Sequence, residues 1–167
     1  MATSNASNTQ VVVGANGELT YPAQPCISYR LNTSQSNVTG DGTVVTIKPE
    51  TQIFSVDDGY NTSTGIFTAP VTGKYRITFS LVFGSPINIA HTSFSWNAVA
   101  TSRTYTLFMF NPSAMAGINP QLYSSIYIDM NAGNTISTTF VVSGGTKVVD
   151  ELGSTFMRTT IQARLVC

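Results

Sequence analysis

Apolar and polar residues alternate along much of this chain. The segment Tyr75-Arg-Ile-Thr-Phe-Ser-Leu-Val-Phe83 has a large apolar side chain at every odd position and mostly polar ones between. A period of two predicts a strand that buries Tyr75, Ile77, Phe79, Leu81 and Phe83 on one face and turns Arg76, Thr78 and Ser80 to the other. The pattern recurs where Ile136, Phe140 and Val142 alternate with threonines and a serine. It recurs again where Met157, Ile161, Ala163 and Leu165 alternate with Arg158, Thr160, Gln162 and Arg164. No segment has a helical period. Strands are expected near 27–31, 43–47, 52–54, 65–68, 74–83, 90–98, 103–110, 121–130, 135–142 and 155–166. The breaks between them contain residues that accept positive φ or fix a turn: 37–42, 57–61, 84–86, Asn111-Pro112, Asn119-Pro120, 131–134 and 143–145. Together these predict one all-β body of ten strands in a two-sheet sandwich over residues 26–167.

Residues 1–25 differ from that body. A polar leader runs into Val11-Val12-Val13, then the turn signal Gly14-Ala-Asn-Gly17, then Tyr21-Pro22-Ala-Gln-Pro25. The prolines bias Tyr21 and Gln24 toward extended backbone, so 1–25 reads either as an extended docking arm or as a frayed terminus. The leader has no basic region followed by an apolar stretch, so it does not read as a signal peptide, and nothing approaches a membrane-spanning run.

Composition narrows the function. At 167 residues the chain fits one domain; eight basic residues balance eight acidic ones, and only 10% of residues are charged. A nucleic-acid binder needs a basic stripe to displace counterions, and here the cations stand singly. With little net charge to keep copies apart, self-association is expected. Cys26 and Cys167 lack the companions a zinc site needs; they read as two free thiols, or as a pair if the first and last strands are neighbours.

His91, the single histidine, lies among apolar and hydroxyl residues and reads as structural or surface. Asp57 and Asp58, followed by Gly59, suit a turn more simply than a calcium loop. Asp129, Asp150 and Glu151 sit in or beside expected turns, with nothing to bring two carboxylates onto one cleft for hydrolysis. Trp96 and Tyr105 would stack on sugars if exposed, but packing is the plainer expectation. No residue is assigned a catalytic, cofactor-binding or metal-ligating role, and an enzyme is not expected.

Tyr60, Phe67, Gly73, Tyr75 and Phe79 fall at the spacing of the signature of the complement component 1q globular head, which the chain resembles. The stretch from Gly65 to Pro70 and the closing strand are similar to the same family. Ile77, Ser55 and Pro49 depart from its usual residues. The resemblance covers roughly Cys26 to Cys167 and implies a jelly roll that, as in the related tumour-necrosis-factor proteins, forms a homotrimer. There is no Gly-x-y stalk, and the Ser/Thr/Asn-rich strands look like the versions found in bacteriophage virion proteins. The expected function is therefore a trimeric capsid decoration (cement) or head/tail-surface protein of a phage, docked through its arm and made in the host cytoplasm. A start only about twenty-five residues before the body favours this over the alternative, the receptor-binding head of a tail or head fibre that recognises a host glycan or protein. Neither nucleic acid nor membrane is an expected partner.

Overall fold

In a computed structural model of the chain, residues 11–20, 23–84, 87–156 and 159–166 are described. The expectations for residues 1–10, Tyr21 and Pro22, the Ser85-Pro86 break, Met157 and Arg158, and Cys167 fall outside them. Before the body, β1 (Val12–Val13) pairs antiparallel with β2 (Leu19–Thr20), closing a hairpin on the Gly14–Gly17 turn signal.

The body begins with β3 (Cys26–Arg30), β4 (Gln35–Thr39), β5 (Val45–Thr46), β6 (Thr51–Val56), β7 (Tyr60–Asn61), β8 (Ile66–Thr68) and the long β9 (Gly73–Gly84). It continues with β10 (Ser93–Ala100), β11 (Thr104–Phe110), β12 (Gln121–Met130), β13 (Thr135–Ser143), β14 (Val149–Glu151) and β15 (Thr160–Leu165). One sheet runs β11-β10-β13-β8-β7, with β5 also on β13; the other runs β4-β14-β9-β15-β3-β6, with β12 along β9. All pairs are antiparallel, and sequence-distant strands such as β3 and β15 are neighbours. Between β11 and β12, Asn111 caps a short 3-10 turn (Pro112–Met115) by accepting from Ser113 N at 3.0 Å.

The core lies between the sheets. Phe83 stacks on Phe94 with ring centroids 4.4 Å apart and planes at 11°. Trp96 stacks on Phe108 at 5.9 Å and meets Phe79 edge-on at 6.4 Å. Ile77, Leu81, Ile136, Phe140 and Val142 complete this layer. Burying each such side chain stabilises the fold by roughly 1.5–3 kcal/mol, so the period-two faces of β9 and β13 largely specify the sandwich.

The structure corrects several expectations. Among the described residues the two sheets contain thirteen strands rather than ten, because β4 and β7 overlap stretches expected to turn and β14 forms in a stretch given no strand. Positive φ at Asn37 (55°) and Asp57 (54°) is compatible with short pairings on either side. The last strand begins at Thr160 rather than at 155, since Thr155 and Phe156 form a turn in which Phe156 N donates to Ser154 Oγ. The first three residues of the expected strand 90–98 are loop, and β10 runs from Ser93 to Ala100. Ser80, expected to face outward, is buried. Gln121 Nε2 donates to its hydroxyl at 3.3 Å, and Thr159 Oγ1 accepts from the neighbouring Val82 N at 3.1 Å, so chain covers this part of the outer face.

Candidate functional site

His91 is fully buried just before β10. Its Nδ1 accepts from Asn88 N at 3.1 Å, and Nε2 lies 3.2 Å from the Thr146 carbonyl. A ring that accepts at Nδ1 must donate at Nε2 to be satisfied, which selects the neutral Nε2–H tautomer. Gly40 and Gly145 make room for it: a Cβ at Gly145 would sit 2.6 Å from Nε2, and one at Gly40, where φ is 127°, would strike the Thr146 carbonyl. The imidazole thus pins three loops together, and of the two roles weighed for it the structural one applies.

Asp58 closes its own turn. Its Oδ1 accepts from Tyr60 N at 3.0 Å and its Oδ2 from the Tyr29 hydroxyl. Burial, then this carboxylate, pushes the Tyr29 pKa up to about 12. Among the described residues, no three His, Cys, Asp or Glu side chains gather in one place.

The other acids are dispersed. Asp129 pairs with Lys74 at 3.9 Å, while Asp150 is opposite Gly84 at the far end of β9. Ten residues of strand put the two ends roughly 33 Å apart. Asp150 accepts from Asn37 N at 2.7 Å. Glu151, one residue on, points the other way. It is 0% exposed, and neither carboxylate oxygen has a hydrogen-bond partner. Burial, and then the negative charge of Glu50, pushes its pKa up to about 8 against the opposing pull of Lys48. The Tyr60 hydroxyl, also buried and without a partner, is raised by burial and by Glu151. Sequence reasoning placed Glu151 at a turn and missed this site, because nothing marked 149–151 as a strand.

Trp96 is core, as its aromatic partners require, and Tyr105 is half-buried with the Arg103 guanidinium 5.7 Å from its ring centre. The exposed aromatics lie elsewhere. On the outer face of the seven-stranded sheet Phe54 is 49% exposed, Tyr123 61% and Tyr127 60%. Cys26 is half-buried at the start of β3 on that sheet.

The polar centre of this outer face is built by register. Across the strands, one row reads Tyr127, Arg76, Arg164, Cys26, and the next Ser125, Thr78, Gln162, Ser28. Arg76 Nε donates to Ser125 Oγ at 3.0 Å, and its guanidinium lies 6.0 Å from the centre of the Tyr127 ring. Arg76, Thr78, Gln162, Arg164 and Phe54 line a groove of about 440 Å³.

No protein-family model and no curated protein sequence matches the chain. Solved structures do. The globular domain of the zebrafish complement 1qA protein matches over 86% of this chain and 98% of its own, at 13% identity and a TM-score of 0.61. Murine APRIL matches over 86% and 99%, at 14% identity and 0.56. The vertex protein P5 of PRD1 matches over 95% of this chain and 83% of its own, at 12% identity and 0.57. The fold is thus the jelly roll shared by complement 1q and tumour-necrosis-factor-like proteins, with a phage vertex protein among the similar structures.

Proposed function

We propose that this complement-1q-like and tumour-necrosis-factor-like jelly roll is a structural protein of a bacteriophage virion, a homotrimer that decorates the capsid or the head or tail surface and docks through residues 1–25. The observation that carries this reading is the outer face of the seven-stranded sheet, where Phe54, Tyr123 and Tyr127 stay exposed on a chain with no net charge. Exposed aromatics of this kind suit burial against further copies of the chain, which carries no net charge to keep copies apart. Likeness to a vertex protein over most of the chain supports the virion setting, and the role is scaffolding rather than catalysis. Light scattering at micromolar concentration should return three times the chain mass of 17.8 kDa; a monomer mass overturns the trimer. Deleting residues 2–20 should leave the trimer intact and abolish its attachment to particles; full occupancy without them overturns the arm.

A second reading, a host-binding fibre head, is favoured by one feature. Ile89 and Ile118 are both exposed, in loops that the Gly117 N to Ile87 O bond holds together. Saturable binding to a host glycan, lost in Ile89→Asp, would select it over decoration.

A further inference from the structure

The outer face of the seven-stranded sheet holds an unusual juxtaposition. Arg76 on β9 and Arg164 on β15 are direct cross-strand partners. Antiparallel partners have Cα atoms about 4.5–5.5 Å apart, and like charges so placed repel. Among the described residues neither arginine has a carboxylate partner: the one ion pair there is Lys74–Asp129, one step along the same face. Counting that pair, the patch has three cations, Lys74, Arg76 and Arg164, to one anion. An arginine cannot lose its proton to relieve the repulsion.

The surroundings hold Arg76 in place. Ser125 and the Tyr127 ring position Arg76, which leaves its terminal nitrogens without a hydrogen bond among the described residues. The next row sets the Thr78 hydroxyl, which shares a 3.2 Å hydrogen bond with Ser125 Oγ, and the Gln162 side chain beside the two guanidinium groups, at the wall of the same groove. Beside Gln162 in that row is Ser28, fully buried, whose hydroxyl has no hydrogen-bond partner. Two forked cations and neutral donors make a donor-rich groove lining; Ser28 lies buried beneath it and is not part of that lining.

We propose that Arg76 and Arg164 form a binding site for a small oxyanion, a sulfate, phosphate or carboxylate group held between the two guanidinium forks, with Thr78 and Gln162 as neutral donors. Planar forks match such oxygens in pairs, which lysines would not. The inference goes beyond the assembly reading and is tested separately from it, although Phe54 borders both the aromatic face and this groove.

Sodium sulfate titrated into the full chain tests this, by calorimetry and by thermal unfolding against sodium chloride of equal ionic strength. The expected result is saturable heat and a melting temperature that rises to a plateau above the chloride control. Arg164→Gln should weaken the apparent affinity at least tenfold, and Arg164→Lys, which keeps the charge but loses the fork, several-fold. Without sulfate, Arg164→Gln should melt no lower than the parent chain, which separates loss of the site from loss of the fold. A non-saturating rise of equal size in parent and Arg164→Gln would mean that sulfate acts only by exclusion from the surface, and the proposal would fall. A sulfated disaccharide that binds as well as free sulfate identifies a glycan-borne group as the ligand; binding of the free ion alone identifies an inorganic one.

Discussion

The two ends of β9 hold uncompensated charge of opposite sign, about seven residues or roughly 23 Å apart, and they resolve it in different ways. Beside Phe83, Glu151 is buried with no hydrogen bond to either oxygen; beside Leu165, Arg76 faces Arg164 across an open sheet. A carboxyl group can discard its charge by keeping a proton, and burial holds the pKa of Glu151 near 8 so that it does. A guanidinium has no such exit, so the cationic end must keep its charge in contact with water or with an anion. The buried end is therefore sensitive to pH and the exposed end to salt.

Replacing the buried acid should break this contrast most strongly. The folded state holds the Glu151 proton up to about pH 8, whereas the unfolded chain releases it near 4.5. The stabilisation is therefore full below pH 4.5 and is lost as pH rises through 8, by about 1.4 kcal/mol per unit and about 4–5 kcal/mol in all. Glu151→Gln keeps the shape without the titration, so its stability should stay nearly level across that window and exceed the parent's at pH 9. Urea midpoints at pH 5 and pH 9 give the comparison; parallel curves for the two proteins would refute it. Glu50→Gln should move the window to lower pH and Lys48→Met to higher, since those side chains bias the same proton in opposite directions.

The contrast also shows what a sequence can reveal. The alternation from Tyr75 to Phe83 was legible because one face of β9 meets the core along its whole length, and each odd residue there is buried. The signature spacing through Tyr60, Phe67 and Phe79 pointed to the fold for the same reason: these side chains pack in one cluster. β4 was not legible, since Gln35-Ser-Asn-Val-Thr39 is a polar edge strand exposed over its first three residues, and pairing there owes little to apolar burial. β14 has three residues, and with it the burial of Glu151 was missed. Arg76 and Arg164 were each read as outward-facing, but their opposition depends on register between strands far apart in the chain, which no local pattern encodes.

His91 sharpens the comparison at the next scale. Like Glu151 it is buried and polar, but both its nitrogens have partners, so burial alone is not what sets the acid apart. His91→Ala would strand Asn88 N–H and the Thr146 carbonyl between Gly40 and Gly145, at a cost of roughly 2–4 kcal/mol. Chemical denaturation at neutral pH measures it. A loss below about 1 kcal/mol would mean that the loops relax around the gap, and that the ring does not join them.

At the exposed end the effects are smaller and take the opposite form. Arg164→Glu turns a repelling cross-strand pair into an attracting one on a solvated face, where such pairs contribute about 0.5–1 kcal/mol. The melting temperature should rise by a few degrees at low salt. In 1 M sodium chloride the screening length falls to about 3 Å, and the gain should vanish. The same salt series on Glu151→Gln should leave its advantage at pH 9 largely intact, because that site is shielded from mobile ions. If salt instead removed the Glu151→Gln advantage and spared that of Arg164→Glu, charge at the two ends would not be governed by burial and exposure in the way the two sites imply.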